Sequence, residues 1–342
     1  MNIVKYLTGL VWRAPECQSQ SQNSPILQLP VELLLIILHF LPPYSRLLVY
    51  QTCRDLRAIV HRNFVAGRGV ILVTMEHRLI YLTHLARSLP DRWVCAKCCK
   101  LHPTSRWDTP SSWLYRPRCG DGYHWSSDEH SESRIFFNYQ HSASHRHIEL
   151  TLKYARLNSS KRAHQEHLKR LLTAHHATII RVVEGIQLKR SFYPKVVDGR
   201  YLLLTVQTYL ALGSNLISQQ SMDWIQICPH LTALGTFSLS RDHRMHLGKI
   251  IYLAFAAPAN TPIFESCSSC GTDFSVQASP KLATVCIWQD LGPEGSVYDP
   301  EWAAIVRETT KIYHRPGSIR ELYGQHEHNG ELLQIVPKPV VF

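Results

Sequence analysis

The sequence predicts an α+β protein in which three short helices near the N-terminus precede a larger domain of mixed helices and strands. Apolar residues recur at helical spacing between residues 26 and 66. Segments rich in β-branched and aromatic residues follow and indicate strands. The 342 residues, 45% apolar and 18% charged, are typical of a globular chain with a small and a larger domain. We expect a flexible leader and linker over residues 1–25, a helical unit over 26–66 and an α+β domain over 70–342.

The first predicted helix lies in the stretch LPVELLLIILHFLPP, residues 29–43, and is apolar on every side. Between Val31 and Leu41 only Glu32 and His39 are polar, whereas a surface helix normally has a charged face. The run is too short for a membrane span, which needs about 20 apolar residues. The N-terminus has no convincing signal-peptide cleavage site. The open side of the helix must therefore be covered by the protein's own core or by a partner protein.

Two more short helices are predicted after the first. Pro42 and Pro43 end the first helix, and Ser45 is placed to cap the second. The third, in CRDLRAIVHRNF, carries four apolar residues at helical spacing: Leu56, Ile59, Val60 and Phe64. A core this small rarely folds alone, so we expect the unit to pack against something else.

Residues 29–64 resemble an F-box. The matching features are Leu-Pro at 29–30, Glu32, the apolar run, Leu-Pro at 41–42, Cys-Arg at 53–54 with Leu56, and the closing Phe64. The resemblance implies a three-helix module that docks on a Skp-family adaptor and so on a cullin–RING ubiquitin ligase. The residues implied to contact the adaptor are Leu29, Pro30, Leu33, Ile36, Ile37, Leu41 and Pro42. The alternative is an ordinary buried helical hairpin with the same spacing.

The larger domain is predicted from strand and helix patterns in turn. A helix is expected in MEHRLIYLTHLARSLPD, and strands in RIFFNYQ, KVVDGRYLLLTVQTYLAL and KIIYLAFAA. The segment AHQEHLKRLLTAHHATIIRVVEG predicts a helix that runs into a strand or turn. Four histidines are expected on a solvated face of that helix: His164, His167, His175 and His176. Near the C-terminus two strands, a Gly/Pro loop and a helix are expected, with Asp299 as cap, Pro300 at the first position and Trp302 packed inward.

The larger domain also resembles the C-terminal regions of many fungal F-box proteins. The matching motifs lie at Cys95–Pro103, Cys228–His230, Cys267–Phe274, Trp288–Gly292 and Asp299–Trp302. This resemblance implies no particular target. No period of 20 to 50 residues repeats, so leucine-rich, WD-type and kelch-type arrays are excluded.

Ten cysteines without a signal peptide indicate reduced thiols rather than a disulfide scaffold. Two Cys-x-x-Cys pairs have the spacing at which two thiolates reach one zinc ion. The first predicted ligand set is Cys95, Cys98, Cys119 and also His102. The second predicted ligand set is Cys228, His230, Cys267 and Cys270. A zinc ion held by four protein ligands has a structural role, because no position is left for a substrate.

Other interpretations of these cysteines remain open. Both Cys-x-x-Cys pairs can share a single ion. The thiols can also be buried small apolar groups, and the adjacent Cys98 and Cys99 fit chance clustering. A redox pair is disfavoured, because neither pair follows the βαβ pattern of such sites.

No motif for catalysis is present: a Gly-x-Ser-x-Gly elbow, a phosphate-binding loop and a dinucleotide-binding turn are all missing from the sequence. The sequence therefore predicts a protein that is not an enzyme. We expect the substrate-recognition subunit of an SCF-type ubiquitin ligase, located in the cytoplasm or nucleus, which holds a protein target near the transferring enzyme. One alternative is an F-box scaffold that binds the adaptor without degrading a target.

A second alternative comes from the charge distribution. The net charge of +11 is concentrated in residues 1–120, which carry 15 Lys and Arg against 6 Asp and Glu. A basic face of this kind attracts nucleic acid or an acidic protein, or it is simply solvated. A zinc-containing nucleic-acid-binding protein is therefore kept as a rival, although no basic helix interleaved with aromatic residues supports it.

Overall fold

Two compact units make up the chain, the first ending at Ser88 and the second beginning at Leu89. The computed structural model describes residues 24–65, 72, 74–110, 134–136, 142–181, 185–222, 225–232, 241–258 and 261–325. The expected leader lies almost wholly outside the described residues, as does the expected domain boundary between residues 66 and 70. Among the described residues, no helix combines the length and apolar character that crossing a membrane requires.

Four α-helices form the described part of the first unit. They are α1 (Val31–Phe40), α2 (Pro43–Tyr50), α3 (Arg54–Val60) and α4 (Met75–Arg87), with a 3₁₀ turn at Pro25–Gln28 and a π-helical turn at His61–Val65. Pro42 is the N-cap of α2 and Pro43 its first residue. The prediction that Ser45 caps α2 was wrong, because the fixed φ of proline already suits the first position of a helix.

The C-terminal end of α1 is held by Arg46 of α2. Its guanidinium donates to the carbonyl oxygen of Leu38 at 2.8 Å and to that of His39 at 2.7 Å. These bonds satisfy carbonyl groups that the end of a helix leaves open. The buried apolar residues of the first three helices are Leu34, Leu38, Leu56 and Val60. α1 therefore turns only one narrow stripe toward the core of its unit.

Twelve strands are described in the second unit. They are β1 (Arg92–Cys95), β2 (Lys100–Pro103), β3 (Arg134–Phe136), β4 (Ser142–Ser144), β5 (His175–Arg181), β6 (Ile186–Val197), β7 (Arg200–Ala211), β8 (Gln226–Cys228), β9 (Leu231–Thr232), β10 (Ile263–Ser266), β11 (Thr272–Ala278) and β12 (Leu282–Pro293). Six of them form one antiparallel sheet in the order β10-β11-β12-β7-β6-β5. The others pair as the hairpins β1-β2, β3-β4 and β8-β9.

The long hairpin β6–β7 turns at Asp198 and Gly199, which both have positive φ, at 48° and 73°. Two residues of this kind form the tight turn whose twist matches that of the flanking strands. Asp-Gly between two apolar runs is a strong hairpin signal. The strand character of this segment was predicted, and its division into two strands was not.

Five α-helices are described in the second unit: α5 (His145–Leu157), α6 (Arg162–Leu171), α7 (Arg241–Ala256), α8 (Pro300–Val306) and α9 (Ser318–Gly324). The prediction of a strand in KIIYLAFAA was wrong, because this segment belongs to α7. Its buried residues Leu247, Ile250, Ile251 and Ala254 recur at helical spacing. The apolar run therefore has the period of a helix that packs one face on the sheet.

The four histidines expected on one solvated helix face divide between two elements. His164 and His167 lie on α6 and are buried, whereas His175 and His176 lie on β5. Nε2 of His164 lies 2.9 Å from a carboxylate oxygen of Asp91, and Nε2 of His167 donates to the carbonyl oxygen of Asp108 at 3.0 Å. The prediction was wrong because partners distant in sequence bury these two imidazoles.

The C-terminal part agrees with the expected order of strands, loop and helix. Asp299 is the N-cap residue of α8, Pro300 is its first residue, and Trp302 is buried. The Asp299 carboxylate accepts from the backbone N–H of Ser296 at 2.8 Å rather than from the helix. A core cluster joins one face of the sheet to α9: Val197, Leu202, Leu204, Val206, Cys286 and Tyr323.

Candidate functional site

The outer side of α1 is an exposed apolar surface. Its most exposed members include Ile36, with 53% of its surface accessible, and Phe40, with 81%. The exposed apolar residues on and beside the helix are Ile26, Leu29, Val31, Leu33, Ile36, Ile37 and Phe40, which we call the α1 surface. Contiguous apolar exposure of this kind marks interaction sites in soluble proteins.

The residues expected to contact an adaptor occupy two environments. Leu29, Leu33, Ile36 and Ile37 belong to the α1 surface, and Pro30 beside them is exposed. Leu41 and Pro42 are half-buried at the turn into α2. Val31 and Phe40 are exposed as well and were not among the expected contacts, because a helix that is apolar on all sides gives no sign of which side faces outward.

A shallow groove of about 480 Å³ lies at the C-terminal end of the α1 surface. Its lining residues are Leu35, Ile36, His39, Phe40, Asn63 and Phe64. Arg46 stacks on the Phe64 ring, with its guanidinium carbon 4.9 Å from the ring centre. The groove is therefore formed by α1 together with the π-helical turn and suits an apolar side chain of a partner.

A second candidate site is a cluster of three thiols and one imidazole in the second unit. β8 ends at Cys228 and the turn after it carries His230, while Cys267 and Cys270 lie in the tight turn between β10 and β11. The four ligand atoms lie within 4.8 Å of one another, and all four residues are buried. We call these four residues the second cysteine cluster.

Neighbouring polar groups orient the ligands of this cluster. The backbone N–H of Ser269 donates to Sγ of Cys267 at 3.4 Å, and Oγ1 of Thr272 lies 3.2 Å from Sγ of Cys270. Nε2 of His230 donates to the carbonyl oxygen of Thr310 at 3.2 Å. The other ring nitrogen, Nδ1, lies 4.0 Å from Sγ of Cys228. A histidine held through one nitrogen by a backbone carbonyl is the usual arrangement of a metal-ligating imidazole.

Each of the three thiols affects the ionisation of the other two. Hydrogen bonds from the Cys228 and Cys270 thiols hold the pKa of Cys267 well below its usual range. Burial, followed by the contacts with the other two thiols, raises the pKa of Cys228 well above its usual range. Without a cation the cluster can therefore hold one thiolate but resists further ionisation. Three sulfur ligands and one nitrogen ligand fit a tetrahedral metal ion such as zinc, so this buried cluster could bind a metal ion.

A smaller group, the first cysteine cluster, lies on the β1–β2 hairpin. It comprises Cys95, Cys98 and His102, whose ligand atoms lie within 4.8 Å of one another. Sγ of Cys98 lies 3.0 Å from Nε2 of His102. Burial, helped by the charges of Lys100 and Arg92, lowers the pKa of His102 and favours the neutral imidazole that metals require.

The expected fourth member of the first cluster, Cys119, lies outside the described residues. The two Cys-x-x-Cys pairs belong to separate clusters in the structure. The alternative in which both pairs share one ion is therefore wrong. Sequence spacing predicted each pair, and the structure adds the neighbours that surround it.

Comparison with known families identifies the first unit. Residues 26–65 match the family model described as F-box-like. No curated protein and no solved structure matches the chain. The chain therefore contains an F-box-like domain followed by a larger α+β unit, whose resemblance to fungal F-box proteins stays a prediction.

Proposed function

We propose that this protein is the substrate-recognition subunit of an SCF-type cullin–RING ubiquitin ligase. The F-box-like domain binds a Skp-family adaptor, and the second unit binds a protein target. The observation that carries the proposal is the α1 surface, because it lies within the matched F-box-like residues and is exposed. The adaptor contacts are Leu29, Pro30, Leu33, Ile36, Ile37, Leu41 and Pro42.

Apolar burial supplies the free energy of this contact. Fully burying one exposed Leu, Ile or Phe side chain contributes about 1.5–3 kcal/mol. A few such side chains outweigh the cost of association, and their contribution depends little on salt. The groove between α1 and Phe64 receives an apolar side chain of the adaptor and gives the contact its register.

The protein acts by proximity and not as an enzyme. Binding target and ligase together raises the effective concentration of the target's lysines near the transferring enzyme. The target is recruited to the ligase in the cytoplasm or nucleus, where thiols remain reduced.

Co-expression with a Skp-family adaptor tests the proposal. We expect the two proteins to co-purify at high salt, and we expect Ile36→Glu, or Leu29→Ala with Pro30→Ala, to abolish or strongly weaken pairing. Leu216→Glu, which places a charge on an equally exposed leucine of the second unit, is the matched control and should leave pairing intact. Full pairing in the Ile36→Glu variant overturns the proposed contact, and pairing that salt disrupts contradicts its apolar character.

We also propose that the second cysteine cluster holds a structural zinc ion, and that the first cluster holds another, completed by Cys119. The donor sets support this, since thiolate and imidazole are zinc's preferred ligands. Zinc analysis of the purified chain tests it. We expect Cys267→Ser to remove one equivalent, whereas Cys286→Ser, at a buried thiol outside both clusters, should remove none.

A further inference from the structure

Trp107 is an exposed indole in the second unit, with 59% of its surface accessible. Two guanidinium groups lie against its ring. The guanidinium carbon of Arg106 is 4.8 Å from the ring centre and that of Arg170, on α6, is 5.6 Å away. Arg170 also donates to the carbonyl oxygen of Arg106 at 3.1 Å. The Arg170 guanidinium therefore joins helix to loop through two contacts, one with the Trp107 ring and one with the carbonyl oxygen of Arg106.

A buried network holds the chain directly beneath this indole. Asp108, the next residue, has 1% of its surface exposed. Its carboxylate accepts from Arg146 at 2.9 Å and from Nε2 of His147 at 2.8 Å. Its carbonyl oxygen accepts from Nε2 of His167 at 3.0 Å. Trp107 is thus an exposed aromatic residue, and the next residue in its loop, Asp108, is held by three side chains.

The electrostatics of this network favour a fixed arrangement. Although burial acts against ionisation, the hydrogen bond with His147 and the charge of Arg146 hold the pKa of Asp108 well below its usual range. Burial and the Arg146 charge lower the pKa of His147 to about 4. At neutral pH a neutral His147 therefore donates to an ionised Asp108. The contacts of Asp108 hold the backbone next to Trp107 in one arrangement, which lowers the entropic cost of binding a partner there.

The surroundings of Trp107 carry excess positive charge. Arg162 and Arg170 lie on α6 on either side of Glu166, with nitrogen–oxygen distances of 2.7 Å and 3.9 Å. The hydrogen bond from Arg162 and its charge, followed by the charges of Arg170 and Arg106, lower the pKa of Glu166, so the carboxylate stays ionised. Three guanidinium groups face one carboxylate, and the surface remains cationic. We call Arg106, Trp107, Arg162 and Arg170 the Arg–Trp surface.

We propose that the Arg–Trp surface binds an acidic segment of a protein, namely of the target that the ligase recognises; this inference rests on the proposed function. Trp and Arg are the residues that most often dominate binding energy at protein interfaces. Guanidinium groups form paired hydrogen bonds with carboxylate or phosphate, while the indole packs on an apolar side chain of the same segment. A nucleic acid fits less well, because single-stranded binding sites present several stacking aromatic residues along a basic groove.

Fluorescence anisotropy with defined probes tests the proposal on the full chain, purified both with and without its adaptor. The probes are a labelled peptide in which Glu and Asp alternate with Leu and Phe, its Gln and Asn version, a phosphoserine version, and a single-stranded RNA. We expect the acidic peptide to bind and the neutral one not to bind. If carboxylate side chains are the anions recognised, the phosphoserine version binds no more tightly than the acidic peptide; tighter binding of the phosphoserine version overturns an unmodified acidic target.

Two variants and one control locate the binding site. Trp107→Ala should weaken acidic-peptide binding about tenfold, and Arg170→Gln about threefold to tenfold. Lys249→Gln, at an exposed lysine of α7, should change it less than about twofold. Unchanged binding in Trp107→Ala overturns the proposal, as does tight binding of the RNA without binding of the acidic peptide.

Adaptor pairing in the same samples separates this inference from the proposed function. Trp107→Ala should weaken peptide binding about tenfold and keep the adaptor, and this outcome supports both the binding surface and the ligase function. If the wild-type chain fails to pair with the adaptor and still binds the acidic peptide through Trp107, the ligase function falls and the binding surface stands. If it pairs with the adaptor and binds no acidic peptide, only the binding surface falls.

Discussion

The two cysteine clusters share the spacing Cys-x-x-Cys and differ in their burial and in the elements that supply their residues. In the second cluster the turn between β10 and β11 meets a ligand pair from another hairpin, and all four residues are buried. In the first, Cys95, Cys98 and His102 come from one hairpin, and Cys98 and His102 are only half-buried. The same local spacing therefore belongs to a group that brings two hairpins together in the second cluster, and to a group within a single hairpin in the first.

The elements that each cluster connects explain why the difference matters. The second cluster joins β8 to the β10–β11 turn, and His230 and Ser269 extend the connection to Thr310 and Ile312 by hydrogen bonds of 3.2 Å and 3.0 Å. The β1–β2 hairpin, by contrast, is also held to α5 by hydrogen bonds from Lys153 to the carbonyl oxygen of Arg92 and from the backbone N–H of Val94 to Glu149. We expect stability to depend more on a metal ion where its ligands come from two hairpins than where they come from one.

The largest expected effect is therefore loss of the second cluster. Cys267→Ser should lower the melting temperature of the second unit sharply or unfold it, because the zinc ion that we propose at this cluster would contribute on the order of 10–16 kcal/mol, as much as a whole domain's stability. Thermal unfolding followed by circular dichroism, with and without a chelator, measures this.

Cys286→Ser provides the reference for this experiment. It removes a buried thiol of the sheet core without touching either cluster, so it should cost only what a small change in packing costs. Equal losses in the two variants contradict a metal at the second cluster. A wild-type melting temperature that is insensitive to the chelator contradicts it as well.

Local patterns in the sequence predicted the helices of the first unit, the strands near the C-terminus and both Cys-x-x-Cys turns. Each of these follows from residues close together in the chain, such as the prolines at 42 and 43 or Pro300 at the start of α8. The strand expected within α7 failed because a short apolar run suits either element, and only the packing of Ile250 and Ile251 decides between them.

Local sequence patterns could not predict contacts between residues that lie far apart in the chain. The burial of His164 and His167 depends on Asp91 and Asp108, which lie 73 and 59 residues away in the chain. The outward face of α1 could not be assigned either, because apolar residues occupy all its sides and only Arg46 and the neighbouring helices define the inner stripe. The sequence alone did not single out Trp107 either, because local patterns do not show that its side chain is exposed.

A smaller effect is expected from Cys98→Ser in the first cluster. The β1–β2 hairpin has two anchors that do not depend on the proposed metal: Nζ of Lys153 donates to the carbonyl oxygen of Arg92 at 2.7 Å, and Glu149 accepts from the backbone N–H of Val94 at 3.4 Å. Trp93 also stays in the core with Leu150. We expect one zinc equivalent to be lost while the sheet stays folded.

Hydrogen exchange read residue by residue distinguishes this local loss from global unfolding. Amides of β1 and β2 should exchange faster in the Cys98→Ser variant, and those of β7 and β12 should keep their protection. If β7 loses protection as completely as in Cys267→Ser, the contrast between the clusters fails, and both metals support the same core.

The smallest expected effect is that of a substitution at Asp273, which lies just beyond the second cluster. This substitution tests how much of the rigidity of the second cluster is independent of metal. Its buried carboxylate accepts from Nε2 of His314 at 3.1 Å and from the backbone N–H groups of Gly317, Ile319 and Arg320 at 2.9–3.0 Å. Asp273→Asn should cost about 1–3 kcal/mol, the usual effect of weakening bonds to a buried charged group. Asp198→Asn, in the β6–β7 turn where asparagine fits equally well, is the control.

The difference in unfolding free energy between wild type and Asp273→Asn should depend on pH in a defined direction. Burial raises the pKa of Asp273, but the hydrogen bonds from His314 and from the backbone outweigh it, and the pKa in the folded state lies below its ordinary value. The unfolded state therefore binds the proton more readily, so the carboxylate stabilises the fold above a pH of about 4 and loses this contribution as the pH falls further. The gap in unfolding free energy between wild type and Asp273→Asn should be constant from neutral pH to about 5 and narrow below that. A gap that instead widens with acidification contradicts a carboxylate held ionised, and a gap that disappears on chelation at neutral pH shows that the bonds of Asp273 depend on the metal cluster beside it.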